Sequence, residues 1–388
     1  MDECTMIPDE SSCDSALLEA YVDGIRPTDR LPEEDLRPVL MGLFGEVGSI
    51  MAPAKKLHRE KEAYPGYRAA VEEEFGDTLW YLAGLARRTG CSLPDIVAGV
   101  RAASRWSEGT AIGNAQPHSA GNPVSPLCLE QVDDVLLNLG SSASGLLVLR
   151  EDRQLAPMLL QAFTQTYLEA LEAVNITLAQ VIKSNLLKVR GRFLDPDLST
   201  LPDFDSSFHE DERLPESFEI VIRQRSNGQT CLQWNGVFIG DPLSDNIGDP
   251  DGYRFHDVFH FAHAAMLQWS PTFRALIKHK RKSVPAIDEA QDSGRAIVVE
   301  EGLTAWLFAR AKDLNFFEGQ TGVSFDLLKT VHHFVRGYEV EACPLKLWEM
   351  TILQGYSVFR MVRDHNGGII KGDRKDRTLR FEPLSNRT

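Results

Sequence analysis

The chain has 388 residues, with 41 Lys and Arg against 56 Asp and Glu for a formal charge of −15, and 43% hydrophobic and 25% charged residues. This is ordinary globular usage, and at roughly 150 residues per domain the length predicts two or three domains. The acidic balance argues against broad nucleic-acid binding, which needs clustered positive charge, but it leaves room for a small phosphorylated ligand held by local cations or a metal.

By eye no apolar run approaches the roughly 18 to 20 residues that span a bilayer, so no membrane role is expected. The start MDECTMIPDESSCDS has neither the basic nor the apolar region of a signal peptide. Six cysteines (Cys4, Cys13, Cys91, Cys128, Cys231, Cys343) are scattered without a CxxC pair. That pattern suits a reducing compartment, and a cytoplasmic protein is expected.

In chain order, residues 1–35 carry eleven acidic groups against Arg26 and Arg30. They read as a weakly ordered acidic arm with a short helix near 17–22. Apolar residues at three- and four-residue spacing predict helices over 36–59, 67–89 and 93–106. A Gly-, Ser-, Asn- and Pro-rich linker follows over 107–127. Three more helices are predicted over 129–150, 155–173 and 178–192, and a second, proline-bearing linker over 195–215.

The six helices repeat a theme. GCSLPDIVAGVRAASRW (90–106) resembles NITLAQVIKSNLLKVRGRF (175–193), and GEVGSIM (45–51) answers to NLGSSAS (138–144). We read 36–106 and 128–194 as a bundle and its degenerate copy; the alternative is chance likeness between amphipathic helices. From 216 to 388 the pattern is mixed. SFEIVIRQ and TCLQWNGVFIG flank Ser226-Asn227-Gly228-Gln229, a hairpin signal. Helices are predicted over 253–269, 289–314, 325–335 and 345–363, before a Gly-rich basic tail. The expected fold is mainly α, with a helix-rich α+β domain at the C-terminal end.

Two clusters carry chemistry. In GLFGEVGSIMAPAKK (42–56) and VEEEFGDTLWYLAGLA (71–86), Glu74 and Asp77 share a helix face, and Glu46 can meet them from the preceding antiparallel helix. Three converging carboxylates repel unless a cation neutralises them, and all-oxygen ligands select Mg²⁺ or Mn²⁺. A solvated charge run is the alternative. Lys55 and Lys56 could neutralise phosphates, and Trp80 and Tyr81 could stack on a base or simply fill the core.

GLFGEVGS followed by EEEFGDTLWYLAGLA resembles the MazG-like, all-α nucleoside triphosphate pyrophosphohydrolase family, over residues 36–106 and more weakly over 128–194. The resemblance implies Mg²⁺-dependent cleavage of nucleoside triphosphates to monophosphate and pyrophosphate, with assembly into homo-oligomers open. It implies Glu46, Glu74 and Asp77 as metal ligands, and Glu73 as a further ligand or water-orienting base beside Glu74. Ser49 departs from the family's GEVxE pattern, which puts metal affinity in question. The second copy has Asn138 at the matching position and no ExxD in PMLLQAFTQTYLEALEA (157–173), so it reads as a structural partner for the first.

The second cluster lies in DGYRFHDVFHFAHAAMLQW (251–269). His256, His260 and His263 fall within about 60° of one helix face, among apolar neighbours. With Glu300 or Glu301 from IVVEEGLTAWLFA (297–309), they could hold a transition metal such as Zn²⁺, Mn²⁺ or Fe²⁺. A hydrogen-bonded histidine core is the alternative. His279-Lys280-Arg281-Lys282 reads as a solvated helix end or a phosphate patch. This part is similar only in outline to helical extensions fused to MazG-like modules. Three functions remain open: the pyrophosphohydrolase with a C-terminal domain for selection, sensing or a second step; a C-terminal metal-dependent hydrolase on a MazG-like scaffold; and a non-catalytic nucleotide sensor.

Overall fold

Backbone capping sets where the helices begin. Asp35 accepts a hydrogen bond from the Arg37 amide to start α2 (Leu36–Glu60), and Thr177 forms a reciprocal capping box with Gln180 ahead of α7 (Leu178–Phe193). The computed structural model describes residues 10–64, 66–111, 129–245, 248 and 250–384. It divides into two units, residues 1–194 and 195–388, each treated on its own terms.

The described residues of the first unit hold helices and no strand: α1 (Glu10–Ile25), α2, α3 (Tyr67–Arg88), α4 (Leu93–Ala111), α5 (Leu129–Leu146, prolonged by the 3-10 turn Leu147–Arg150), α6 (Ala156–Ala173) and α7. Helices α2–α3 and α5–α6 form two antiparallel hairpins whose third helices are exchanged, so that α4 packs on α6 and α7 packs on α3. The turns into α4 and α7 are alike. Gly90 and Asn175 both take positive φ, and the next amides, of Cys91 and Ile176, bond back to Ala86 O and Leu171 O. This is the same C-terminal cap twice.

The structure revises three expectations here. Over its described residues, 10–35, the segment read as a loose arm packs into the core: Leu18, Tyr21 and Ile25 are buried with the other helices. Asp29 accepts from both Arg87 and Arg88. Burial would raise its carboxyl, but these guanidiniums outweigh that and hold it below the usual range. Residues 36–106 and 128–194 share one core rather than forming separate domains, and most of the predicted linker, 112–127, lies outside the described residues. Finally, the helical run Gln131–Arg150 is long and apolar enough by composition to cross a membrane. Its buried side, Val132, Leu136, Leu139, Ala143, Leu146 and Leu149, belongs to this same core.

The second unit wraps helices around an antiparallel sheet of order β3-β2-β1-β4-β5, from β1 (Ser217–Gln224), β2 (Thr230–Trp234), β3 (Val237–Leu243), β4 (Gly367–Asp373) and β5 (Thr378–Glu382). Alternation in β1 turns Phe218, Ile220 and Ile222 into the core. The run TCLQWNGVFIG is not one strand. Asn235 and Gly236 both adopt positive φ and make a second hairpin between β2 and β3. The C-terminal tail is likewise no tail, because β4 pairs with the central β1 along its length.

The helices are α8 (Asp257–Ala262), a π turn His263–Leu267, α9 (Pro271–Ile277), the single turn α10 (Pro285–Ile287) running into a π turn Asp288–Asp292, α11 (Gly294–Asp313), α12 (Phe325–Phe334) and α13 (Leu345–His365). Buried ion pairs tie them to residues 195–215, which therefore belong to this unit instead of linking to it. Arg274 bonds to Asp205, and Arg281 bonds to Asp292 (2.6 Å) and Glu339 (2.6 Å). Arg281 is thus a structural cation, and the phosphate patch considered for residues 279–282 loses its central charge.

Candidate functional sites

The first unit brings Glu46, Glu74 and Asp77 together, with ligand oxygens all within 4.8 Å of one another. Glu46 comes from α2, and Glu74 and Asp77 from one face of α3, as i,i+3 spacing requires. All three are half-buried. Burial pushes the Glu46 carboxyl up, the neighbouring Asp77 and Glu74 charges add to this, and it reaches about 7. The trio thus tends to keep a proton near neutrality in place of a third negative charge.

A cation also reaches this site, from the copy read as merely structural. Lys188 of α7 donates to Glu73 (2.8 Å) and to Asp77. Burial favours loss of its proton, but Asp77 and Glu73 outweigh that and raise its pKa. Asn185 donates to Asp77 (3.1 Å) and accepts from Tyr21 (2.7 Å). Gly76 makes the approach possible, since a Cβ there would sit 2.9 Å from that of Asn185. In the repeat alignment Asn185 and Lys188 stand opposite Val100 and Ala103 of α4. The polar equipment of the two copies is therefore complementary: acids on one hairpin, amide and ammonium on the other copy's third helix. Exchange of third helices is the signal that spacing within either copy could not carry.

Other expected residues separate. Glu73 faces Lys188 rather than joining the trio. Lys55 and Lys56 are exposed, and Lys56 lies over the Tyr64 ring at 5.6 Å. Trp80 is a core residue, its indole donating to Thr28 (2.9 Å), so it does not present a face for base stacking. Tyr81 is half-exposed and packs over Gly42, where any Cβ would fall within its ring. Burial and then the nearby Glu46 and Asp77 raise its hydroxyl pKa.

The second unit assembles the histidine stripe as well. His260 Nδ1 lies 3.0 Å from Glu300 and its Nε2 3.3 Å from Glu301; His256 Nε2 is 3.6 Å from Glu301, and His263 Nδ1 is 2.9 Å from Glu300. Glu300 further accepts from the Ser270 hydroxyl (2.8 Å) and the Thr272 amide (2.9 Å). Burial alone would raise the acids and lower His260. The close pairing reverses both, holding Glu301 down at about 2, Glu300 below the usual carboxylate range, and His260 well above the usual imidazole range. Asp257, beside His256, has its carboxyl raised, chiefly by burial. The helix leaves α geometry at His263 for a π turn, a distortion common at functional positions. His332 and His333 stand apart on α12.

Comparison with known family models bears on the second unit. A 57-residue stretch, 14% of this chain, is 40% identical to the "Gene 37 protein" of Mycobacterium phage L5, and the chain spans half the length of that relative. No solved structure matches. Residues 199–385 match the family model described as the MazG C-terminal domain. The family relationship therefore rests on the half of the chain whose sequence resembled its relatives only in outline, and it supports a MazG-like assignment for that C-terminal part.

Proposed function

We propose that the chain is a Mg²⁺-dependent nucleoside triphosphate pyrophosphohydrolase whose reaction centre is the Glu46, Glu74 and Asp77 trio. The observation that carries this reading is the convergence of three half-buried carboxylates within 4.8 Å, with Glu46 held near neutrality. An all-oxygen donor set of net negative charge fits a hard divalent cation. The match of the C-terminal part to a MazG domain is consistent with it.

Mg²⁺ (or Mn²⁺) bound by these residues would supply charge neutralisation at the phosphates and a lowered pKa for the attacking water. The chain's own groups do the rest. Lys188, bonded to Asp77 and Glu73, would set a positive charge beside the bound triphosphate, while Asn185 holds Asp77 in place. A carboxylate of the trio accepts the water's proton as the new O–P bond forms at the α-phosphorus and the bond to the β-phosphate oxygen breaks. The products are monophosphate and pyrophosphate. The second helical triplet acts as a degenerate copy that replaces a dimer partner, and its cap and helix-exchange correspondence supports that reading.

A panel of common and damaged (d)NTPs with Mg²⁺, followed for pyrophosphate and monophosphate, tests this. Release from a subset that disappears in Glu74→Gln supports it. A folded, Mg²⁺-supplied protein silent across the panel refutes it.

A further inference from the structure

We propose that the second unit holds one divalent transition-metal ion, of the Zn²⁺ class, between His256 Nε2, His260 Nε2 and the Glu301 carboxylate. This site is independent of the acidic trio and of the reaction proposed for it.

The tautomers point the ligand atoms. His256 Nδ1 lies 3.0 Å from the Tyr253 carbonyl, which can only accept, so that nitrogen carries the proton and Nε2 carries a lone pair. His260 Nδ1 sits against Glu300, and Glu300 is itself held by Ser270, Thr272 and His263. A carboxylate held by three donors is already committed to them, and His260 Nδ1 lies 3.0 Å from it without an aligned hydrogen bond. That leaves His260 Nε2 facing Glu301. Two imidazole nitrogens and a carboxylate thus converge on one region, where a metal ion in place of a ring proton would be held by all three.

Distance and alignment agree. His260 is 0% exposed, yet neither ring nitrogen has a hydrogen-bond partner of proper alignment despite carboxylate oxygens at 3.0 and 3.3 Å. Groups aimed at a shared point, not at each other, have this look. Ligands about 2.0 to 2.2 Å from a tetrahedral ion stand about 3.3 to 3.6 Å apart. His260 Nε2 is 3.3 Å from Glu301 Oε1 and His256 Nε2 3.6 Å from Glu301 Oε2, so both carboxylate oxygens border the point, and one ligand atom from each residue lies within 4.8 Å of the others.

Two His and one carboxylate leave a fourth position for water or a ligand, as catalytic sites of this class do. The cluster opens outward at this point: the Glu301 side chain is 38% and that of His256 13% exposed, and Tyr253 stacks on the His256 ring at 4.5 Å. Mixed nitrogen and oxygen donors favour Zn²⁺, Co²⁺, Mn²⁺ or Fe²⁺ over Mg²⁺.

The test uses the full chain, stripped with chelator and titrated with Co²⁺ in excess Mg²⁺, read by visible d–d absorption and by competition with Zn²⁺. His256→Asn and Glu301→Gln are the informative variants because both positions are partly exposed, and circular dichroism checks that each folds. One Co²⁺ per chain is expected, with at least about 10-fold weaker binding in either variant and unchanged binding in Asp77→Asn. Absence of binding by the folded wild-type chain overturns the proposal. So does binding that His256→Asn and Glu301→Gln leave unchanged, because the cluster would then be an imidazolium–carboxylate core.

Discussion

The acidic trio and the histidine cluster solve the same problem, several ionisable groups in one place, in opposite ways. In the first unit the acids are half-buried, keep a proton on Glu46 near neutrality, and borrow Lys188 from the other helical triplet. In the second unit the acids are paired with imidazoles, and Glu300 is fixed by a hydroxyl and a backbone amide in an interior with no exposure. An open cluster with unsettled charge suits a hard cation and a phosphate chain that come and go. A cluster with mixed donors, buried at His260 and Glu300 and open at Glu301, suits a resident ion. Charge changes should accordingly be felt as stability in the second unit and as turnover in the first.

The largest expected effect tests the closed side. Asp292 is fully buried beneath Arg281, so Asp292→Ala removes one of the two carboxylates that hold this buried guanidinium, leaving Glu339, and should cost about 3 kcal/mol in urea unfolding. A loss below about 1 kcal/mol would mean that water reaches these arginines and that the contrast between the units is weaker than described. Next in size, Asp77→Asn should cut pyrophosphate release by about 100-fold or more while moving the melting temperature little. A variant that unfolds but retains specific activity would make Asp77 a structural residue.

Lys188→Met should raise KM for the triphosphate by about 10-fold, the scale of one lost charge-assisted hydrogen bond. An unmoved KM with a lowered melting temperature would confine Lys188 to pairing with Asp77 and Glu73.

The smallest effect is in pH. Because the Glu46 carboxyl is raised from 4.5 to about 7 in the folded chain, the metal-free fold binds the extra proton and is favoured below pH 4.5. That advantage is lost as pH rises through about 7. Thermal stability without metal should therefore fall between pH 5 and 8 by more in wild type than in Glu46→Gln. Mg²⁺ binding should tighten over the same range as it displaces that proton, and parallel pH curves for the two chains would remove Glu46 from the site.

Much of this was legible in the sequence where the information is local. Three- and four-residue apolar spacing located α2 to α7 within a few residues, and the i,i+3 relation of Glu74 and Asp77 put them on one face. The pairing of His256 and His260 followed from a four-residue interval. Long-range choices were hidden. Acidic composition suggested that residues 1–35 were loose, but Leu18, Tyr21 and Ile25 are core residues and Asp29 has two arginine partners. The tail around Gly367 and Gly368 looked like punctuation because a strand's partner, here β1, lies some 150 residues away in the chain.

The sequence by itself determined most of the longer helices, though not α1 in full, α9 or the broken course of 253–269, and the chemical type of each candidate cluster, because periodicity and side-chain chemistry act over a turn or two of backbone. Only the tertiary structure decided which groups meet: that α7 crosses to α3 and delivers Lys188 and Asn185 to Asp77, that Arg281 is buried, and that Glu300 supports His260 while Glu301 faces the opening. Those outcomes depend on burying apolar faces against distant partners and on satisfying the charges carried inside with them, and neither condition is written in any local stretch of the chain.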